Sequence, residues 1–161
     1  MTPQDWSKFG APILRLEREQ FPVGLREEPA DLQSLIESPT SIVVGVRTKG
    51  LPFAGYLASD LLENFGDVPG TISDPHWGHG DTHYIAAIVV DPSIRHCGVA
   101  TALMQACVHS ARALGFRRVT AHMQSGATSK IGSQFRVLGR FPNWYGTGKP
   151  FEYVELTPQV M

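Results

Sequence analysis

The stretch VVDPSIRHCGVATALM (residues 89–104) leads from an apolar strand through a short charged turn into a helical pattern. A strand that turns tightly into a helix gathers unpaired backbone N–H groups at one point, and the helix dipole adds partial positive charge there. Such a junction binds anions, and diphosphate is its usual occupant. Gly98 allows close backbone approach, Ala100 keeps the next turn small, and Arg95 adds a charge-assisted contact or fixes the loop. Competing phosphate motifs fail. No G-x-G-x-x-G follows the strand, and in YGTGKP a proline replaces the Ser/Thr of a P-loop.

A second group of reactive side chains lies upstream, where His76, His79 and His83 surround Asp81 in a glycine-rich loop. The His-x-x-His spacing tolerates a metal, but structural zinc sites show a fuller Cys/His set. No metal is expected, and a polar loop is the preferred reading. Cys97 sits near a helix N-terminus, where a thiol pKa can fall. It would lie near the phosphates rather than near a reacting carbon.

The elements that position these residues follow from hydrophobic period. Helical patterns run over 11–21 and 27–38, with Pro29 in a first turn and Pro39 as a stop. Residues 41–47 and 51–62 read as a hairpin around the turn TKG. Residues 63–83 are rich in Gly, Pro, Asp and His and show no period, which marks a functional or disordered connection. The apolar run 84–90 predicts a strand covered on both faces. From Gly98 a helix follows, with Gly115 at the C′ position. Residues 117–123 alternate as a strand, 129–139 predict a short helix, and β segments around FPNWYG and PFEYVELT close the chain. The fold class is mixed α/β in a single domain spanning 1–161.

Composition bounds the partners. With 42% hydrophobic residues, 18% charged residues and a net charge of −1, nothing selects for nucleic acid or anionic lipid. The pair Arg117-Arg118 reads as the solvated start of a strand. Cys97 and Cys107 cannot form a disulfide framework. MTPQDWSKFG has no apolar signal core, and the run Tyr84–Val90 is too short to span a membrane. A cytoplasmic protein is the expectation.

Residues 86–116, AAIVVDPSIRHCGVATALMQACVHSARALGF, resemble motif A of the GCN5-related N-acetyltransferases. That family's loop, Gln/Arg-x-x-Gly-x-Gly/Ala, is matched by Arg95, Gly98 and Ala100. The resemblance continues weakly over about residues 20–157. It implies a central, mostly antiparallel, splayed sheet flanked by helices, and acetyl-CoA as co-substrate for a primary-amine acceptor. It further implies that the N–H groups of His96, Cys97, Gly98, Val99, Ala100 and Thr101 hold the diphosphate, with Arg95 beside them in the cofactor-binding loop. The pantetheine would lie along Ile88, Val89 and Val90, where a backbone N–H can stabilise the developing oxyanion. A homodimer through the terminal strands is also implied.

The resemblance breaks at the proton donors. The family's helical tyrosine falls on Phe135, which has no acidic proton. The strand position that holds a catalytic Glu or His in relatives falls on Tyr84, next to His83, which points to the opposite face of a regular strand. Tyr145, in NWYG, resembles the aromatic wall of the acceptor site in peptide-acetylating relatives. Tyr145, Tyr84 and His83 are therefore the candidate catalytic residues. One alternative is a non-catalytic acyl-CoA-binding or regulatory module that lost its acid at Phe135. Another is a metal-binding enzyme centred on the 76–83 histidines.

Overall fold

A computed structural model describes residues 5–21, 27–127 and 134–157. The elements run α1 (Asp5–Gln20), α2 (Pro29–Glu37), β1 (Ile42–Thr48), β2 (Leu51–Leu61), β3 (Thr82–Val90), α3 (Val99–Ala113), β4 (Arg118–Gln124), β5 (Gln134–Phe141) and β6 (Phe151–Thr157). The six strands form one sheet in the order β1-β2-β3-β4-β6-β5. The β1–β2, β4–β6 and β5–β6 pairs are antiparallel, and β3–β4 is parallel. This is the mixed, mostly antiparallel sheet that the resemblance implied. The contacts sort into two compact units, Met1–Asp60 with Ala86–Cys107 and Leu61–Ile85 with Val108–Met161.

In the first unit, α1 and α2 cover one apolar cluster. Ile13 and Leu16 of α1 join Leu32 and Ile36 of α2, and Phe53, Tyr56 and Val89 come from the strands. Helix α1 starts at Asp5 rather than at residue 11, although Pro12 lies inside it. Trp6 and Phe9 extend the apolar stripe of Ile13 and Leu16 by one more turn and pack against the same cluster. Pro29 opens α2, where its missing N–H costs nothing. The hairpin pairs Ile42 with Ser59 through to Thr48 with Leu51. A Cβ at Gly55 would meet the Val89 carbonyl at 2.7 Å, so close strand approach requires glycine there.

In the second unit, α3 ends in a Schellman motif. The N–H of Phe116 donates to the Ala111 carbonyl at 2.9 Å and that of Gly115 to Arg112 at 3.0 Å. Residues 65–79 are a run of one-turn steps. The N–H groups of Val68, Thr71, Asp74 and Trp77 each donate to the carbonyl three residues back. This explains the missing period in the sequence, because each step closes on itself rather than on a neighbouring element.

Two expectations are corrected at the C-terminal side. Residues 134–139 form strand β5, not the end of a helix, and Phe135 pairs with Leu156. Residues 129–133 lie outside the described residues. Pairing to β6 supplies cross-strand contacts that outweigh the weak helical period of QFRVLG. Phe135 therefore does not stand at a helical tyrosine position, and the argument for a lost acid there fails. The segment FPNWYG is not a strand of its own. Phe141 ends β5, and Trp144–Gly146 form a turn that is left-handed at Tyr145 (φ 48°).

Candidate active site

The anion loop lies in the first unit and is built by its own side chains. Asp91 accepts from the Ser93 N–H at 3.0 Å and from its hydroxyl at 2.7 Å, which folds Pro92–Ile94 into one 3-10 turn. The Asp91 N–H donates to the Ala54 carbonyl at 2.8 Å and anchors the end of β3 to β2. The chain then turns left-handed at His96 (φ 62°) and again at Gly98 (φ 76°) before α3 begins at Val99. Turns of this hand make backbone concavities for anions, and the first N–H groups of a helix lack intrahelical acceptors. A Cβ at Gly98 would meet nothing within 4 Å. The open space above the glycine and the first turn of α3 fit a diphosphate. The Arg95 guanidinium hydrogen-bonds Gln20 at the end of α1, so it fixes the loop. His96 and Cys97 are exposed, and Val99, Ala100 and Thr101 are half-buried.

Strand β3 alternates buried Ala87 and Val89 with half-buried Ala86, Ile88 and Val90. Its pairing with β4 covers Thr82–Ile85 against Arg118–Ala121 and stops there. Strand β3 itself runs on to Val90 and β4 to Gln124.

The second unit gathers polar groups on one sheet face. Because side chains alternate along a strand, Tyr84 and Thr120, paired in register, share their face with Thr82, Arg118 and His122. On β6, Glu155 and Tyr153 oppose Thr120 and His122. The Tyr84 hydroxyl lies 2.9 Å from His122 Nδ1. The His122 ring is stacked between Trp144 at 4.3 Å and Tyr153 at 4.7 Å, with Phe141 edge-on at 5.2 Å. Burial in this aromatic box pushes the imidazole down to about 4, and the Pro69 carbonyl opposes that shift. At neutral pH the ring is uncharged, with one nitrogen protonated and the other an acceptor, and Nδ1 shares one hydrogen bond with the Tyr84 hydroxyl.

A buried charge network adjoins this pair. Arg118 is 7% exposed and donates to Asp74 at 2.8 and 3.3 Å, while its Nε lies 3.4 Å from Glu155. The Tyr153 hydroxyl donates to Asp74 at 2.6 Å, and the His76 N–H donates to the same carboxylate at 2.8 Å. Burial alone would raise the Asp74 pKa. Hydrogen bonds from Arg118, Tyr153 and the His76 N–H outweigh it and hold the carboxyl below its usual range. The reading of Arg118 as a solvated residue is thus corrected, because Asp74 and Glu155 neutralise it inside the fold. Arg117 remains exposed.

The three candidate proton-transfer residues are dispersed. Tyr84 is 6% exposed and part of the face just described. His83, on the opposite face, is fully buried with its ring 4.3 Å from Phe116. Tyr145 is 60% exposed, left-handed at φ 48°, and set edge-on to Trp144 at 4.8 Å. Its turn is tied by the Trp144 N–H to the Lys149 carbonyl at 3.0 Å and the Gly148 N–H to Asn143 Oδ1 at 2.6 Å. His122, Asp74 and Tyr153 are not singled out by any motif. The one linear signal is the polar row Arg118, Thr120, His122 at period two, which reads equally as a solvated face.

Protonation of His122 links the site to stability. Its folded pKa lies below the ordinary 6.5, so between pH 6.5 and 4 the unfolded chain binds more protons. Stability is complete above pH 6.5 and is expected to fall by about 3 kcal/mol as the pH drops toward 4. Urea midpoints at pH 7 and pH 4.5 test this, with His122→Phe expected to lose that part of the slope. Asp74, held low, contributes stability that is fully present above the usual carboxylate range and is lost only as the pH falls below it.

The model of the acetyltransferase (GNAT) family matches residues 11–131. No curated protein sequence matches the chain significantly. Among solved structures, the chain is similar to the ribosomal-protein-S18-alanine N-acetyltransferase from Escherichia coli, at 12% identity and TM-score 0.68 over 96% of this chain and 92% of that one. Arabidopsis thaliana NAA60 in complex with acetyl-CoA gives 18% identity and TM-score 0.68 over 96% and 94%. The aminoglycoside 6'-N-acetyltransferase from Enterococcus faecium gives 13% identity and TM-score 0.64 over 96% and 94%.

Proposed function

Because this chain belongs to the GNAT acetyltransferase family, we propose that it transfers acetyl from acetyl-CoA to the α-amino group of a small molecule or peptide by direct attack. The observation that carries the acceptor class is the Tyr84–His122 pair at 2.9 Å, with His122 held near pKa 4. The incoming ammonium must lose a proton before its nitrogen can attack. In the tautomer with Nδ1 unprotonated, the Tyr84 oxygen takes that proton while its own O–H proton passes to His122 Nδ1. The amine nitrogen bonds the acetyl carbon, the C–S bond breaks, and the CoA thiolate leaves and takes up the proton that His122 gives back through Tyr84.

So weak a base selects its partner. Stripping a lysine-like ammonium of pKa 10.4 costs about 9 kcal/mol against a group near 4, whereas an α-ammonium near 7.8 costs about 5 kcal/mol. At pH 7 about one lysine-like amine in two thousand is neutral, against about one α-amine in ten. The α-amine is the acceptor that this pair can serve.

The diphosphate takes N–H groups of residues 96–101, and the pantetheine runs along Ile88, Val89 and Val90. Tyr145 walls the acceptor, and His83, enclosed against Phe116, packs rather than transfers protons. Both cysteines are free thiols, in keeping with a cytoplasmic enzyme, and no described helix is long and apolar enough to cross a membrane. The homodimer through the terminal strands belongs to the same proposal.

Thiol release from acetyl-CoA across a panel of α-amines and lysine-like amines tests the reading. Turnover confined to lysine-like amines would sink the acceptor class. Gly98→Asp is expected to remove thermal protection by acetyl-CoA, with affinity falling more than tenfold, or about 1.4 kcal/mol. The substitution sets a negative charge against the diphosphate at a residue with φ 76°. Equal binding by both forms would mean that the anion loop is elsewhere.

A further inference from the structure

We propose that His76, His79 and Asp81 form a binding site for one divalent transition metal of the zinc class. The three side chains each offer a ligand atom, and these atoms lie within 4.8 Å of one another. No other group of three or more such residues converges in this way among the described residues. His83, which the sequence sets beside them, is turned into the interior and takes no part.

The backbone that carries the ligands is already fixed. Glu63 Oε1 accepts from the N–H groups of Gly78 and Gly80 at 2.9 and 3.0 Å, on either side of His79. Asp74 accepts the His76 N–H at 2.8 Å, and the His79 N–H donates to the His76 carbonyl at 3.0 Å. The Asp81 carbonyl takes the N–H groups of Arg117 and Arg118 at 2.8 and 3.3 Å, which holds that residue at the start of β3. His76 Nδ1 and Asp81 Oδ2 are already 3.0 Å apart. Their side chains are 36% and 19% exposed, so an ion and its remaining water ligands can reach them.

Donor chemistry selects the ion. Two imidazoles and one carboxylate suit zinc, copper or nickel, whereas magnesium and calcium prefer all-oxygen sets. Ligand atoms about 2.0–2.1 Å from a tetrahedral zinc stand about 3.3 Å from one another. One ligand must therefore close in by roughly 1.5 Å. His79 is the exposed one of the three and meets the His76 ring at 5.3 Å, so its side chain is free to make that movement. With three protein ligands, the fourth position is left to water or an exogenous donor. The ion would clamp the last turn of the 65–79 loop to the first residue before β3. The site does not depend on the assignment of acetyl transfer.

Calorimetric titration of the chelator-stripped chain with Zn²⁺ is expected to show one ion bound, with no heat from Mg²⁺. His79→Ala removes an exposed ligand without disturbing a buried contact and is expected to weaken Zn²⁺ at least tenfold. Asp81→Asn is expected to do the same, and Zn²⁺ should raise the melting temperature of the parent chain but not of His79→Ala. Failure of the parent chain to bind Zn²⁺ overturns the site. Unchanged affinity in both variants also overturns it and places the ion elsewhere, with His96 and Cys97 the next donors to examine.

Discussion

Tyr84→Phe is expected to lower the saturated rate of acetyl transfer by roughly 10²-fold or more, with acetyl-CoA affinity nearly unchanged. The change removes one oxygen and keeps the ring that packs at 4.9 Å from Phe65. What is lost is the 2.9 Å link to His122 Nδ1 through which the amine proton would pass. His122→Phe keeps a stacking ring between Trp144 and Tyr153 but offers no nitrogen, so it should lower the rate to a similar degree. The double variant should be little worse than either single one, because the two groups act on one proton. Tyr145→Phe is the contrast. An exposed ring at the edge of Trp144 should change the apparent acceptor KM and leave the saturated rate almost intact. The reverse outcome, a slow Tyr145→Phe and an unaffected Tyr84→Phe, would transfer the proton chemistry to Tyr145.

The second large effect concerns folding. Asp74→Ala is expected to destabilise the protein by about 3–5 kcal/mol, since it leaves the Arg118 guanidinium buried without its main partner. Natural domains hold together by about 5–15 kcal/mol, so the loss is a large part of the total. Asp74 also accepts from Tyr153 at 2.6 Å and from the His76 N–H at 2.8 Å; the N–H would lose that acceptor, and the Tyr153 hydroxyl would keep only Thr120 at 3.1 Å. Glu155, at 3.4 Å from Arg118 Nε, also pairs with Arg136 at 2.6 Å and only partly compensates. Urea unfolding at pH 7 reads the change as a shift in midpoint. The double variant Asp74→Leu with Arg118→Met should regain most of the stability, because an apolar pair of similar volume needs no desolvated charge. A shift below about 1 kcal/mol for Asp74→Ala would mean that water reaches Arg118 and that the network is peripheral.

The two effects arise from features of different legibility. The junction of β3 and α3 could be read before any coordinates because its requirements are local. A tight strand–helix junction needs small residues and a left-handed turn, and Arg95, Gly98 and Ala100 occur at the matching spacing. The hairpin of β1 and β2, the helix after Gly98 and its Gly115 cap were legible for the same reason. Each depends on period, turn chemistry or backbone conformation within a few neighbours.

The Tyr84–His122 pair depends on register. Tyr84 and His122 are 38 positions apart and meet because parallel pairing of Thr82–Ile85 with Arg118–Ala121 sets their side chains on one face. A one-residue slip in that register would turn His122 to the other face and bring Ala121 or Met123 in its place. Nothing in RVTAHMQ states which of its two rows is buried. Alternation assigns Val119 and Ala121 to one face and Arg118, Thr120 and His122 to the other, and the polar row reads by default as solvated. It is enclosed here because Asp74, 44 residues before Arg118, brings a carboxylate that neutralises the guanidinium. Tyr153, from the last strand, adds a ring over His122 and a hydroxyl for Asp74.

The same distinction explains the misread segment 134–139 and the divided histidines. QFRVLG has a weak helical period, and only pairing with Thr157–Tyr153 of β6 makes it a strand. His76, His79 and His83 look like one set in the sequence, yet strand alternation buries His83 while loop turns bring His76 and His79 to Asp81. By itself the sequence determined the tight β3–α3 junction, the order of most elements and the family, since those rest on short-range sterics and backbone hydrogen bonding. The tertiary structure decided which polar residues lose their water, and with it the lowered pKa of His122 and the pairing of Arg118. Desolvation is a property of what covers a group, and what covers these groups comes from strands and loops distant in the chain.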